Sequence, residues 1–408
     1  MNRPDPLSDA QSLLLELART LHLANVPTDV VEHRVVSAGR GLGVTVEAFA
    51  LQTFVIVKVA GATHQLDFAR MPFNPHWNLG RLAQLEELGD ELAAGRLGVE
   101  EGRARLERIR SRPARYPRWV VAAAYGLYGI AVAARIGGGA IEVGAAGLVG
   151  LAVGLIHFGI IHHRTADLQK SFLAALFGTL LALTLAGLFP YSAAHAAFGG
   201  MAMLVPGMVL ALGTHEMVGE AVEAGLARVA YALLRFLMLA FGIVGAAALW
   251  RVFGPLPPLT SATPLPVPVV LAAVVIGGIA LVACLQGERR DIPWIAGAAL
   301  LAYSSQEVLE AISAGRGSPF IAAFVVGAAG GLFHQATGRA SGLIVVPGIL
   351  QLVPGFLGIR SMLALLGQDA PSDATFMHVL LVCLQLVTGL MAAGLVFDRG
   401  GPTRRQPR

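Results

Sequence analysis

The chain is short of charge. Only 14% of its 408 residues are Asp, Glu, Lys or Arg, where a soluble domain carries about a quarter. With 55% hydrophobic residues and a mean hydropathy of +0.66, that shortage excludes a chain soluble throughout. Cysteine is nearly absent. Cys284 and Cys383 sit in separate apolar runs and read as small packing residues, so neither a disulfide nor a metal pair is expected. The few aromatics do not interleave with the basic residues, which argues against nucleic-acid binding. No Gly-rich phosphate loop, His-Glu-x-x-His or nucleophile elbow is present, so no nucleotide, metal or other cofactor is expected and the chain does not read as an enzyme. The polar start Met1-Asn2-Arg3-Pro4-Asp5-Pro6 lacks the pattern of a signal peptide and is expected to stay in the cytoplasm.

The charge that exists is concentrated before Trp119. Residues 8–112 read as a small cytoplasmic α+β domain, long enough for one core. Ser8 with Gln11 suggests a capping box, and Leu14, Leu17, Ala18 and Leu21 form one apolar helical face. Thr28 is expected to cap a second helix whose buried side carries Val31, Val35, Ala38 and Leu42. Val44–Ala50 alternates with period two, and Thr53–Val59 and His64–Phe68 follow as further short strands. Polar helices near 78–95 and 98–111 lead to the membrane. His22, His33, His64 and His76 are isolated and read as ordinary surface or core histidines.

Ten apolar segments follow, at about 119–135, 140–162, 172–189, 198–214, 226–252, 267–286, 292–313, 318–336, 341–364 and 376–397. The expected fold is therefore an α-helical polytopic membrane protein, with membrane halves 119–252 and 267–397. The arginines crowding residues 103–118 mark the cytoplasmic face. Arg164, Lys170, Arg228, Arg235, Arg289, Arg290, Arg339 and the arginines of the tail fall on that same side, which places both termini in the cytoplasm of a bacterial inner membrane. Arg135, Arg251 and Arg316 are the exceptions. Five spans per half is an odd number, so the second half enters from the opposite side, and the halves form inverted repeats.

Each half carries the same helix-breaking phrase. Leu204-Val205-Pro206-Gly207 in the first aligns with Val345-Val346-Pro347-Gly348 in the second, and a further breaker, Gly213, aligns with Pro354 of Pro354-Gly355. A proline removes one helical hydrogen bond and frees the carbonyl four residues earlier, here that of Ala202, Leu343 or Leu350. In hydrocarbon such a carbonyl must find protein, water or a ligand. Paired interrupted helices point to a transporter's binding site. Pro206, Gly207, Gly213, Thr214, Pro347, Gly348, Gln351, Pro354, Gly355 and Arg360 are thus the candidate substrate-binding residues. Arg360 could meet a carboxylate, and Gln351 is a polar side chain in an apolar run.

Ionisable residues in membrane segments are functional candidates. Glu216, Glu220 and Glu223 stand at helical spacing on one expected face after the first broken segment. Glu307 shares a face with Ser304 in the outer half of the seventh segment, beside Gln306 and Glu310. His157, with His162 and His163, ends the second segment, and His334 ends the eighth. Glu216, Glu220, Glu307 and His157 are the candidates for carrying a coupled proton.

These residues resemble the threonine/serine exporter family in its single-chain form with two fused halves. The cytoplasmic domain carries part of the resemblance, in Val30-Val31-Glu32-His33-Arg34-Val35, Gly41-Leu42-Gly43-Val44, Arg81-Leu82-Ala83-Gln84-Leu85 and Glu100–Leu106. Leu204–Gly207 with Gly225-Leu226-Ala227-Arg228-Val229 and Ile344–Gly355 with Arg360-Ser361 carry the rest, so the similarity covers nearly the whole chain. Where family members often have an aspartate about ten residues after the first Val-Pro-Gly, this chain has Thr214-His215-Glu216. The resemblance implies a secondary exporter of threonine and serine driven by the proton-motive force. Related two-chain systems resemble dicarboxylate exporters, so succinate-like substrates are the alternative. The expected partners are a small amino-acid or carboxylic-acid substrate, protons and the lipid bilayer, with homo-oligomer formation left open. Two other classes stay in view: a membrane-embedded enzyme with a catalytic or regulatory cytoplasmic domain, and a channel.

Overall fold

The computed structural model describes residues 6–62, 67–70, 77–160, 167–257, 262–313, 317–352, 355, 357–359 and 376–397. Its contacts define two units, one formed by Met1–Arg115 with Leu212–Ala230 and the other by Tyr116–Ala211 with Tyr231–Arg408. Most of the residues after Arg115 thus fall in a single unit, and the stretch Leu212–Ala230 belongs with the N-terminal residues.

The N-terminal unit begins with α1 (Pro6–Leu23) and α2 (Thr28–Gly41). An antiparallel meander follows, β1 (Val46–Leu51), β2 (Phe54–Val59) and β3 (Asp67–Arg70), in the order β1-β2-β3 with Val46 opposite Val59 and Phe54 opposite Arg70. Helices α3 (Leu79–Ala93) and α4 (Val99–Ser111) complete the N-terminal segment. The apolar face of α1 is fully buried at Leu14, Leu17, Ala18 and Leu21, beside Val31 and Val35 of α2 and Val55, Val57 and Val59 of β2. Gly41 is required where α2 meets α3, because a Cβ there would lie 1.9 Å from the Leu92 carbonyl oxygen.

Two expected caps are replaced by longer-range bonds. Helix α1 already runs from Pro6, and Gln11, fully buried, accepts the Val59 N–H at 3.2 Å instead of closing a capping box. Thr28 is the first residue of α2, not its cap. Its N–H donates to Glu216 Oε1 at 3.1 Å. A side chain far along the chain thus satisfies one of the orphan N–H groups that every helix start leaves.

The second unit is helical. Its elements are α5 (Arg118–Arg135), α6 (Ala140–Leu155) with a π-helical turn Ile156–Ile160, α7 (Asp167–Leu188) and α8 (Ala193–Met201). Then come α9 (Gly207–Val218) and α10 (Val222–Phe253), whose residues 212–218 and 222–230 belong to the N-terminal unit, followed by α11 (Val267–Cys284), α12 (Ile292–Ser313), α13 (Ser318–Thr337), α14 (Gly342–Leu352) and α15 (Phe376–Phe397). Six helices are long and apolar enough to cross a membrane: α6 with its π turn, α7, α10, α11, α13 and α15. The bent pair Ala193–Leu204 and Gly207–Val218 makes a seventh if counted as one span. The ten apolar segments of the sequence therefore correspond to six or seven clear candidate spans among the described residues. At 32 residues, α10 is about 48 Å long, well beyond a hydrocarbon core of about 30 Å. Its first turns, up to Ala230, belong to the N-terminal unit.

Hydrogen bonds sort the helix ends of the second unit into two faces. The Tyr116 N–H, just before α5, donates to Gln286 Oε1 just after α11. Arg339, after α13, pairs with the buried Asp291 that precedes α12. On the other side, Glu142 of α6 accepts N–H bonds from Gly139 and from Ser192, at 3.1 and 3.0 Å. Close glycine contacts allow the helices to approach, as where a Cβ on Gly199 of α8 would lie 2.9 Å from the Gly129 carbonyl oxygen of α5.

Candidate transport site

The first Val-Pro-Gly interrupts its helix as expected. Residues Ala202–Leu204 tighten to a 3₁₀ turn, Val205 is extended (φ −67°, ψ 126°), and α9 restarts at Gly207 after a bend of 52°. Proline disfavours helical geometry at the residue before it, which accounts for the extended Val205. The Ala202 carbonyl, deprived of its usual partner, accepts the Val205 N–H at 3.3 Å. The second copy behaves differently. Pro347 lies inside α14, which continues to Leu352, and Pro347 and Gly348 are buried there. Pro354 and Arg360 lie outside the described residues.

The two phrases nevertheless meet. A Cβ built on Gly355 would lie 2.6 Å from Val205 Cγ1, so only glycine admits this contact without movement. Around it is a cavity of about 390 Å³ that takes residues from both phrases: Val205, Gly207 and Met208 from the first, and Leu350, Gln351, Leu352 and Gly355 from the second. Tyr128 and Arg135 of α5, Gln306 and Glu310 of α12, and His378 and Gln385 of α15 complete its polar wall.

Arg135 is the residue that sequence reading missed. It stood out only as an exception to the charge rule. In the structure its guanidinium donates through Nη1 to Gln351 Oε1 and through Nη2 to the Gln351 carbonyl oxygen at 2.8 Å, and it lies 5.2 Å from the Tyr303 ring centre. The Tyr128 hydroxyl donates to the Leu350 carbonyl at 3.5 Å, so a carbonyl expected to be freed by Pro354 has a side-chain donor. The charges of Glu307 and Glu310 act on Arg135, while its hydrogen bonds among the described residues go to Gln351. Gln306 Nε2 donates to Glu310 Oε1 at 2.8 Å. Gln351 Nε2, Gln306 Oε1 and Gln385 Oε1 are buried and find no protein partner among the described residues.

Other candidates lie elsewhere. Gly213, Thr214, Glu216 and Glu220 belong to the N-terminal unit. Gly213 serves a helix crossing, since a Cβ on it would lie 2.9 Å from the Gly225 carbonyl oxygen. That approach lets Glu216, fully buried, accept Arg228 Nε at 2.7 Å. Both terminal nitrogens of Arg228 are buried without a partner among the described residues. Arg228 and Arg235, read from sequence as connection charges, are instead buried and paired, Arg235 with Asp167 at 3.1 Å. The expected single face of Glu216, Glu220 and Glu223 does not form. Helix α9 ends at Val218, Glu220 turns left-handed (φ 72°), and α10 starts at Val222. His157 sits in the π-helical turn, 4.0 Å from Asp167 Oδ1 and stacked on Tyr125, while the Tyr231 hydroxyl donates to Asp167 Oδ2. The residues following His157 at 161–166 lie outside the described ones. Among the described residues no group of His, Cys, Asp and Glu could hold a metal ion.

Near the N-terminal unit's buried pair lies His22. Its Nε2–H donates to the Gln52 carbonyl at 3.1 Å. Burial first, and the Arg228 charge second, push its pKa from the ordinary 6.5 down to about 4, against a smaller upward pull from the Gln52 bond.

The arrangement defines a class: a polytopic helical membrane protein with a polar cavity where the two proline-glycine segments meet, the first of them interrupted at Pro206. Residues 12–250 match the ThrE family model, described as "Putative threonine/serine exporter", and the chain belongs to that family of membrane exporters. The match stops before the second Val-Pro-Gly copy, on which the resemblance in sequence leaned most. An uncharacterized protein of Schizosaccharomyces pombe is 26% identical over 251 residues, covering 59% of this chain and 33% of the relative. The pheromone-regulated membrane protein 10 of Candida albicans is 26% identical over 251 residues, covering 59% and 22%. Its Saccharomyces cerevisiae counterpart is 25% identical over 253 residues, covering 58% and 31%. The matched part of the chain thus spans a third or less of these relatives' own length. No solved structure matches.

Proposed function

We propose that this protein is a secondary transporter that exports small amino acids of the threonine and serine type, driven by the proton-motive force. The observation that carries the reading is the meeting of the two Val-Pro-Gly segments, one broken at Pro206 and the other reaching Gly355, at one polar cavity. Discontinuous segments of this kind hold substrates in carriers because their ends offer unpaired backbone groups and partial charge. Membership of an exporter family supports the direction.

In this reading ten segments form two inverted five-helix halves in a bacterial inner membrane, with both termini cytoplasmic. The bonds Tyr116–Gln286 and Arg339–Asp291 support a common cytoplasmic face for the start of α5 and the connections α11–α12 and α13–α14. Arg135, Gln306, Glu310 and His378 then line the outer half, so the cavity is that of an outward-facing state. Pro206, Gly207, Pro347, Gly348, Gln351, Pro354, Gly355 and Arg360 shape or contact the substrate path. Glu307, one helical turn from Glu310 and within electrostatic reach of Arg135, is the best placed proton carrier. Glu216 is engaged by Arg228, Glu220 is exposed on a turn, and His157 would work through Asp167.

The test is counterflow in proteoliposomes with labelled threonine, serine, alanine and succinate under an imposed proton gradient. Threonine and serine exchange, with accumulation abolished by an uncoupler, is the expected result. Exchange of succinate alone would replace the amino-acid reading with the dicarboxylate one, and no exchange at all would overturn transport.

A further inference from the structure

The cavity's polar groups are arranged in two sets, and this asymmetry says how it reads its substrate. On one side Arg135 presents a guanidinium that, among the described residues, bonds the neutral side chain and carbonyl of Gln351 and lies over the Tyr303 ring, and its Nε is buried and unpartnered there. Gln351 Nε2, a second donor, is also buried with no protein partner among the described residues. On the other side the exposed Glu310 spends one carboxylate oxygen on Gln306 Nε2, and its charge reaches Arg135 without a direct bond between them among the described residues. Gln306 Oε1 and Gln385 Oε1, two acceptors from α12 and α15, are buried without partners. Donors thus collect around Arg135 and acceptors around Glu310. A buried polar group left unmade costs about 1–3 kcal/mol, so the buried donors at Arg135 and Gln351 and the buried acceptors of Gln306 and Gln385 favour ligand groups that satisfy them, and the exposed Glu310 adds a negative charge beside the acceptors.

We infer that Arg135 with Gln351 binds the substrate carboxylate, and that Glu310 with Gln306 and Gln385 binds its ammonium group. This rests on the transport reading and deepens it: the site selects zwitterionic α-amino acids over carboxylates that lack the ammonium. A dicarboxylate would place its second negative charge against Glu310, where like charges repel. Gln351 has a double part. It holds the guanidinium in place while the site is empty of a carboxylate, and its amide then joins the donor set.

The experiment is competition against labelled threonine counterflow by three compounds: threonine, 3-hydroxybutyrate, which keeps the carboxylate and lacks the ammonium, and threonine methyl ester, which keeps the ammonium and lacks the carboxylate. Wild-type protein should prefer threonine to either analogue by about tenfold or more, the size of one charge-assisted bond. Glu310→Gln should weaken threonine and the ester by about tenfold and leave 3-hydroxybutyrate unchanged. Arg135→Gln should weaken threonine and 3-hydroxybutyrate and leave the ester unchanged. Arg135→Lys, which keeps the charge and loses the fork, guards against a folding defect and should retain the preference for threonine over the ester. Equal weakening of all three compounds by both neutralising variants, or no weakening, overturns the assignment while leaving transport standing. Wild-type protein that moves no amino acid overturns the assignment and the transport reading together.

Discussion

Glu216 and Glu310 are both carboxylates in apolar stretches, and their surroundings give them different work. Glu216 accepts from Arg228 Nε and from the Thr28 N–H with no exposure to solvent. Removing one member of such a pair strands the other charge, at a cost of about 3–5 kcal/mol. Glu216→Gln should therefore lower the unfolding temperature of the detergent-solubilised protein markedly. Loss of proton-driven accumulation at unchanged stability would instead make Glu216 a coupling group. His22 sets a pH dependence. Its folded pKa lies below its unfolded value, so the unfolded chain binds more protons between pH 4 and 6.5. The stability it contributes is complete above about pH 6.5 and is lost as pH falls towards 4, by about 3 kcal/mol at most. Glu32 works in the opposite sense. Burial raises its pKa, against the Ala50 N–H bond, so its share is lost as pH rises. The profile of His22→Gln should be flatter than wild type across that window when measured by thermal unfolding, and identical slopes would refute the burial account.

At the scale of elements, what was legible in the sequence was local. The period of Leu14, Leu17 and Leu21 gave the buried face of α1, alternation gave β1 and β2 to within two residues, and Val205-Pro206 gave the break before α9. What was not legible depended on distant partners. The N–H of Thr28 is satisfied by Glu216 across 188 positions, and Arg135 reaches Gln351 across 216, distances over which spacing carries no signal. The misread face of Glu216, Glu220 and Glu223 failed for a local reason, a left-handed Glu220 that ends one helix before the next begins. Pro347 shows that the same tripeptide need not break a helix, since α14 runs through it. The break at Pro206 is therefore the more consequential of the two. Pro206→Ala removes both the ring and the constraint on Val205, and restores an N–H, a change worth about 3 kcal/mol towards continuous helix. Transport should fall by about tenfold or more with the protein still inserted and no less stable. Full activity in this variant would show that the bend at Val205 is not used.

For the whole molecule, the proposed transport function has two halves of one chain meeting at a cavity that opens outward. A thiol introduced as Leu357→Cys in the cavity wall, after replacing Cys284 and Cys383 by alanine, should react with a membrane-impermeant maleimide added to intact cells. Reaction only in inside-out vesicles would reverse the orientation argued from the basic residues and from the Tyr116–Gln286 and Arg339–Asp291 bonds. The central claim is that the proline-glycine segments of the two halves touch at Val205 and Gly355 and that substrate passes where they do. A Cβ on Gly355 would stand 3.3 Å from that of Val205, close to the separation of about 3.5–4.5 Å that a disulfide spans. The most direct measurement is oxidative cross-linking of Val205→Cys with Gly355→Cys in the cysteine-free protein, read together with threonine counterflow. The account predicts that the cross-link forms within one chain, that it stops counterflow, and that a reductant restores it. A pair that does not cross-link while threonine exchange proceeds, or that cross-links and leaves exchange untouched, would contradict it.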